Sequence, residues 1–500
     1  MSTSEGNGDR PTITIDGQVL EFEPGQTVIQ VANAAGIEIP HYCYHPGLSI
    51  AGNCRICMVE VEGWPQPQIA CKLGPSPGMV VHTQSELATE ARRATMEFLL
   101  VNHPLDCPIC DQAGECHLQD YSYQLGQGQS RSSTPKTLSV KNEPFGARVI
   151  YDGERCIKCT RCVRFTEEIT ETNELAMSQR SDHEAVIMTS KGEFDTPYAM
   201  NIIDLCPVGA LTSRDFRFRS RLWFMDFAPS ICTGCARGCN VTTGGRQGAF
   251  LRMAPRENQA VNKWWMCDPG RLDYHFVNSE TRLTAPRVKG DDGVWADATW
   301  DEAIRAAATA LSTDARDVLV DGNSTLEEMH LARALAEALG GKACFAGRVG
   351  DDGDDFLIVN EKAANAKGAE TLGLERISAP AKAALLIVER DANVPAELRD
   401  ASGATVVFAL DAEHVPDSAK VAFPHGSWAE RDGVMLNVDG IAQTLQRNPS
   451  VGPPGLMPLV EVLEEILLER DSSYEVLGRD GILARLGANE GLAVAVGGEA

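Results

Sequence analysis

The sequence predicts a multidomain chain of α+β and α/β modules, and three observations predict it. Fifteen of the sixteen cysteines fall within the first 267 residues, in four groups that divide that stretch into modules. Residues 11–82 alternate short β-rich runs with Gly/Pro turns, as a small β-rich domain does. From about residue 286 apolar strand-like runs alternate with helix-like periodic segments, the pattern of an α/β layer.

Taken in order, residues 1–10 read as disordered. TITI, QVLEF, CMVEVEG and GMVVHT read as strands and TVIQVANAAG as a helix packed on them, which makes 11–84 one domain. SELATEARRATMEFLLV, residues 85–101, reads as an amphipathic helix with Ser85 as its N-cap. It opens a segment over 85–130 that ends in loop-rich, cysteine-dense sequence. A polar, linker-like stretch at 131–147 leads into a second cysteine module, giving a domain over 131–222, and a third module with Gly-rich turns spans 225–285. In the remaining region, 286–500, WDEAIRAAATALS, LEEMHLARALAEALGG and LMPLVEVLEEILLER read as helices. DVLVDG, AALLIVE and ATVVFAL read as buried strands. No short-period repeat of the solenoid type is present.

Composition excludes several classes. With 500 residues and 43% apolar content the chain can form ordinary cores in several domains. Cysteine is too sparse for a disulfide-stapled secreted scaffold. MSTSEGNGDRP lacks the apolar core of a signal peptide, and no apolar run reaches about 18 residues, so neither a leader nor a membrane span is expected. These features predict a reducing compartment, where clustered cysteines bind metal more often than they pair. A net charge of −25 argues against nucleic acid or an anionic lipid surface as partner.

Each cysteine group offers four ligands. The first is Cys43, Cys54, Cys57 and Cys71, three in one loop and one remote. Two irons bridged by sulfide need two thiolates each, so this set suits a [2Fe–2S] cluster, and Gly52 supplies small, flexible backbone near Cys54. The second is His103, Cys107, Cys110 and Cys116 in NHPLDCPICDQAGEC. One imidazole in place of a thiolate would leave a [4Fe–4S] cluster one negative charge lighter. His45, His82 and His117 are weaker ligand candidates. The third is Cys156, Cys159 and Cys162 in RCIKCTRC with the remote Cys206 in DLCPVGAL, the spacing of a ferredoxin [4Fe–4S] site. Thr166 stands where a second cluster would need another cysteine, so one cubane is expected. The fourth is Cys232, Cys235, Cys239 and Cys267 in ICTGCARGCN and WMCDPGR, read as a further [4Fe–4S] site. Structural zinc is the alternative for each group, strongest for the second. Cys344, in GKACFAG, is expected to be a buried structural thiol.

The sequence contains no P-loop, no G-x-G-x-x-G opening a helix after a strand and no H-E-x-x-H, so no site for NAD, flavin or ATP is expected on this chain. GRVGDDGDD at 347–355 has the wrong spacing for a dinucleotide turn and reads as a polar loop. No residue is singled out as catalytic.

The stretches IPHYCYHPGLSIAGNCRICMVEVEG, EFLLVNHPLDCPICDQAGECHLQDY, RCIKCTRCVRF and IIDLCPVGALTS closely resemble the large iron–sulfur (G) subunit family of bacterial NADH:quinone oxidoreductase, respiratory complex I. The resemblance runs from about 11 to 285. It is looser beyond, where TWDEAIRAAATAL and SWAERDGVMLNVDGIAQTLQRNPSVGPPG look like the start and end of a molybdopterin-enzyme-like domain. It implies a β-grasp [2Fe–2S] domain, a His/Cys3 [4Fe–4S] segment, a ferredoxin-like [4Fe–4S] domain and a shortened molybdopterin-oxidoreductase-like α/β region bearing the fourth cluster. No molybdopterin is expected. The implied role is an electron relay in the peripheral arm, on the cytoplasmic side of the inner membrane. It would have the NADH-oxidising flavin subunit and the quinone-side iron–sulfur subunits as partners. The chain departs from the family at His117, where an acidic residue is usual, and in a C-terminal region that reads as lacking its middle.

Two other readings compete. The chain is alternatively the iron–sulfur diaphorase-arm subunit of a multi-subunit NAD-linked hydrogenase or formate dehydrogenase. A catalytic iron-only hydrogenase would need a further cysteine set after residue 267, where only Cys344 stands. A non-redox protein with four zinc ions is the third reading.

Overall fold

The computed structural model describes residues 10–189, 194–311, 317–377, 379 and 382–490. The disorder expected at 1–10 lies outside the described residues but for Arg10. The chain divides into two compact units, Met1–Trp223 and Phe224–Ala500.

In the first unit, β1 (Thr12–Ile15) buries Ile13 and Ile15 on one face, as its period-two pattern requires. It turns through Asp16 and Gly17, both with positive φ, into the antiparallel β2 (Gln18–Glu21). A capping box between Thr27 and Gln30 starts α1 (Val28–Ala34). The strands β3 (Met58–Val61), β4 (Gln68–Ile69) and β5 (Val80–His82) complete a five-stranded sheet ordered β2-β1-β5-β3-β4. Its core takes Val28, Ile29 and Val31 from α1 together with Cys57 and Cys71.

Next comes α2 (Glu86–Asn102), where the Ser85 hydroxyl accepts from the Ala88 N–H at 3.2 Å, the expected N-cap. His103 is its C-cap. The following segment, read from sequence as loop, contains α3 (His117–Leu125), which buries Leu118 and Tyr121. The strands β6 (Glu143–Phe145) and β7 (Val149–Tyr151) precede α4 (Arg161–Glu168), a hairpin of β8 (Leu175–Ser178) and β9 (Ala185–Met188), α5 (Asn201–Leu205) and β10 (Leu211–Ser213). The sheet here is ordered β10-β7-β6.

The second unit opens with an antiparallel sheet of β11 (Asp226–Ile231), β12 (Asn240–Arg246) and β13 (Ala249–Pro255), then α6 (Asp268–Leu272). The α/β part follows. Along it run β14 (Arg287–Lys289), β15 (Trp295–Asp297), α7 (Trp300–Ala310), β16 (Val318–Asp321), α8 (Leu326–Leu339), β17 (Ala343–Ala346), α9 (Ala366–Thr371), β18 (Glu375–Ile377), β19 (Leu385–Val388), α10 (Ala396–Ser402), β20 (Val406–Ala409) and β21 (Val421–Pro424). The hairpin of β22 (Gly433–Leu436) and β23 (Ala442–Leu445), then α11 (Leu459–Arg470) and α12 (Gly478–Glu490), complete it.

Its eight-stranded sheet is ordered β15-β14-β21-β20-β19-β16-β17-β18, parallel from β21 to β18 with an antiparallel edge. Alternate residues divide between two buried faces. Val318, Val320, Leu385, Ile387, Val406 and Phe408 join the core beneath α7, α8 and α11, while Leu319, Leu386, Val388 and Val407 join the opposite one. Burial on both faces is why these strands read as unbroken apolar runs. Among the described residues no helix is long and apolar enough to cross a membrane.

Candidate metal centres

The first group forms on the loop between α1 and β3, with Cys71 just after β4. Cys43, Cys57 and Cys71 are buried and Cys54 partly so. The thiols touch in the pairs Cys43–Cys54, Cys43–Cys71 and Cys57–Cys71, and the Cys43 N–H donates to the Cys54 sulfur at 3.4 Å. Arg55, between Cys54 and Cys57, takes φ 61°, a left-handed conformation that lets the loop wrap its contents.

In the second group Cys107 is exposed while Cys110 and Cys116 are buried. Desolvation, aided by the Lys136 and Arg155 charges, lowers the His103 pKa to about 4, which leaves a neutral imidazole with a free lone pair at neutral pH. Burial pushes the Cys116 thiol up to about 11. Buried Arg155 pairs with Asp106 at 2.9 Å and Asp152 at 3.4 Å, and Cys110 raises its pKa by charge, so a fixed cation stands beside this group.

The third group surrounds one small cavity lined by Cys156, Cys159, Cys162 and Cys206, with walls from Tyr151, Val186 and Leu211. Lys158 and Thr160 take positive φ in the loop, and the Lys158 N–H donates to the Cys156 sulfur at 3.4 Å. Burial pushes the Cys159 thiol up to about 11 and raises Cys162 and Cys206 as well.

The loop carrying Cys206 also reaches the second group. The Cys116 thiol lies 3.9 Å from the Pro207 carbonyl, and a Cβ added at Gly209 would strike the Cys110 sulfur. On its other side α4 meets the first group. Arg164 donates to the Cys43 carbonyl at 2.6 Å, and the Asn53 side chain donates to the Lys158 carbonyl at 3.0 Å.

The fourth group lines a cavity of about 160 Å³ in the second unit. Cys232, Cys235 and Cys239 lie between β11 and β12, and Cys267 is the N-cap of α6, accepting from the Gly270 N–H at 3.3 Å. The Gly234 N–H donates to the Cys232 sulfur at 3.4 Å. Burial pushes the Cys267 thiol up to about 12. The α/β part supports this loop. The Arg390 guanidinium, after β19, donates to the Thr233 carbonyl at 3.2 Å, and Ala236 donates to the Glu361 carbonyl at 2.9 Å. The loop after β17 also supplies Arg348, Asp352 and Lys362 to the cavity wall. Loops after β17 and β19 flank β16, where the strand order reverses, the usual place for a bound group in an open parallel sheet.

The donor sets fit clusters better than single ions. One tetrahedral zinc draws its sulfurs to about 3.8 Å from each other. Among the described residues the set of three Cys, His or carboxylate ligand atoms within 4.8 Å of one another is Asp411, Glu413 and His414, so none of the four groups converges that tightly. Buried thiols with raised pKa values become thiolates only beside a strong positive charge, which iron supplies, and the N–H···S contacts stabilise that form.

The remaining sequence candidates have other partners. His45 accepts from the Gly47 N–H at 3.1 Å, His82 meets Glu62 at 2.8 Å, and His117 begins α3 against Tyr121. Cys344 is buried in β17 with its thiol on the Val318 carbonyl at 3.6 Å. The polar loop at 347–355 contributes to the fourth cavity, a role the sequence reading missed. It also passed over Arg155, Arg161 and Arg164, although basic residues inside RCIKCTRCVRF were a visible signal.

Five family models match. They are the 2Fe-2S iron-sulfur cluster binding domain at 9–86, the NADH-ubiquinone oxidoreductase-G iron-sulfur binding region at 92–131 and the NADH-quinone oxidoreductase subunit 3 ferredoxin-like domain at 146–212. The molybdopterin oxidoreductase Fe4S4 domain matches at 225–279 and molybdopterin oxidoreductase at 282–355. Fold and sites together thus define an iron–sulfur protein with 2Fe-2S and 4Fe-4S binding domains.

The NADH-quinone oxidoreductase G subunit of Rickettsia bellii is 39% identical over 66% of this chain and 48% of its own length. Its counterpart of the same name in Streptomyces coelicolor is 39% identical over 66% of this chain and 40% of its own. The mitochondrial NADH-ubiquinone oxidoreductase 78 kDa subunit of Neurospora crassa is 42% identical over 60% of this chain and 40% of its own. The chain is similar to these NADH-quinone oxidoreductase subunits over its first two thirds and spans about half the length, or less, of these relatives. A solved NAD+-reducing [NiFe]-hydrogenase chain shares 34% identity over 42% of this chain and 91% of its own, with a TM-score of 0.39, too low to compare the folds.

Proposed function

We propose that this chain is an electron-relay subunit of an NADH-quinone oxidoreductase. It would work in a peripheral arm on the cytoplasmic side of the inner membrane, between an NADH-oxidising flavin subunit and quinone-side iron–sulfur subunits. In this reading Cys43, Cys54, Cys57 and Cys71 hold a [2Fe–2S] cluster. His103 with Cys107, Cys110 and Cys116, then Cys156, Cys159, Cys162 and Cys206, and then Cys232, Cys235, Cys239 and Cys267 each hold a [4Fe–4S] cluster. The corresponding domains are 11–84, 85–130, 131–222 and 225–285, with 286–500 as the shortened α/β region. When bound, each cluster supplies a one-electron redox couple.

The chain's own residues fix positions, exclude water and tune charge. Val186, Val208 and Leu211 wall the third site with apolar surface. Backbone N–H groups of Lys158, Gly234 and Gly270 donate to ligand sulfurs. The observation that carries the reading is the contact of one ligand loop with the next. The Cys206–Gly209 loop touches Cys110 and Cys116, and α4 touches the backbone of Cys43. A relay needs such closeness and a set of independent structural ions does not.

Iron, zinc and acid-labile sulfide counted on anaerobically purified protein, with low-temperature EPR after reduction, test this. About 14 iron per chain, matching sulfide and distinct reduced signals are expected. Zinc with little sulfide and no reduced signal would sink the electron-transfer reading.

A further inference from the structure

Helix α4 starts one residue before Cys162 and carries two buried arginines, one turn apart, on the side that meets the first group. The Arg161 guanidinium forks between two loops. One nitrogen donates to the Leu205 carbonyl at 3.0 Å, beside ligand Cys206, and another donates to the Tyr44 carbonyl, beside ligand Cys43. Arg164 repeats the arrangement. It donates to the Cys43 carbonyl at 2.6 Å, to the Ser49 carbonyl, and at 3.4 Å to the carbonyl of Cys159. Its Nε meets the Thr160 hydroxyl at 3.2 Å.

Among the described residues both guanidinium groups meet backbone carbonyls and a hydroxyl, and no carboxylate. Arg161 is 5% exposed and Arg164 7%, and the Arg161 Nε is buried without a hydrogen-bond partner. Two desolvated cations without an acidic partner are costly to hold in a protein interior. The two acidic side chains on the same helix, Glu167 and Glu168, are exposed, and Glu168 accepts from the Ser49 N–H at 2.7 Å. The groups that face Arg161 include thiols of both sets, Cys159, Cys206 and Cys43, together with Arg164 and the rings of His41, His45 and His117.

Resting on the cluster reading above, we infer that Arg161 and Arg164 are shared positioning residues for the first and third sites, supplying both with the same fixed positive charge. Reduction adds an electron to an already anionic centre, so a nearby buried cation favours the reduced form. Because one pair of cations serves two centres, the two reduction equilibria move together. The same forks hold the ligand loops of Cys43 and Cys206 on a common helix, so their separation is set by one rigid element.

The test is redox titration followed by EPR on the full, iron-loaded chain, comparing wild type with Arg161→Gln, Arg164→Gln and the two Lys variants. Each Gln variant is expected to lower the potentials of the [2Fe–2S] signal and of the signal lost in Cys206→Ser. The expected fall is about tenfold in the reduction equilibrium, ~59 mV for one electron, with the other two signals unmoved. The Lys variants keep the charge and restore most of the shift. Unchanged potentials with full iron, a shift in one centre alone, or an equal shift in all four would overturn the inference. If a Gln variant sheds iron, the Lys variant decides: wild-type potentials support the shared charge and lowered ones refute it. Iron and sulfide counts separate the two levels. Absent iron in the wild type defeats the cluster reading, whereas full iron with immobile potentials defeats only the arginine bridge.

Discussion

Between Arg10 and Trp223 the longest strand is four residues, and eleven of the sixteen cysteines occupy the loops and helix ends. Between Phe224 and Glu490 an eight-stranded sheet is buried on both faces, and the only cysteines are the four of the fourth group and Cys344. The difference teaches how each unit stays folded. In the first, a cysteine group forms part of the core, as Cys57 and Cys71 do beside Val59 and Ala70. Under the proposed reading, short elements there leave much of the order to metal bonds, whose formation is coupled to folding. In the second, Val318, Leu385, Val406 and Val421 stack beneath α7, α8 and α11, so apolar burial suffices.

The widest break in that comparison comes from removing the metal. Chelation under reducing conditions is expected to open residues 10–223 to limited proteolysis while 286–490 stays resistant. Equal loss in both units, read by mass mapping of the fragments, would contradict the division. Cys206→Ser comes next. It should remove about four iron and one EPR signal, leaving the secondary structure of the second unit unchanged by circular dichroism. A purely apolar lesion should do the reverse: Leu463→Ala, fully buried on α11, is expected to cost about 2–5 kcal/mol in denaturant unfolding with all cluster signals retained.

Smaller effects sharpen the contrast. A Cβ at Gly270 would stand 3.0 Å from the Cys232 sulfur and 3.2 Å from that of Cys267. Gly270→Ala should therefore broaden the fourth signal and leave the thermal unfolding of the α/β region nearly unmoved. Ser85→Ala removes the N-cap of α2 and should cost about 1 kcal/mol, measurable by denaturant midpoint at constant iron content.

The sequence by itself determined how the cysteines are grouped, because their spacing is local: Cys156, Cys159 and Cys162 sit within one loop whatever surrounds it. It also determined α2 with its Ser85 cap, the period-two strand β1 and the buried parallel strands, since caps and apolar periodicity are written in neighbouring residues. It missed α3, whose nine residues after Cys116 bury only Leu118 and Tyr121 and so carry little pattern. Only the tertiary structure decided that the Cys206 loop lies against Cys110 and Cys116, that Arg164 grips the Cys43 carbonyl, and that the loop after β17 walls the fourth cavity. Those contacts join residues separated by up to about 120 positions. They arise from how whole elements pack, and no local spacing encodes them.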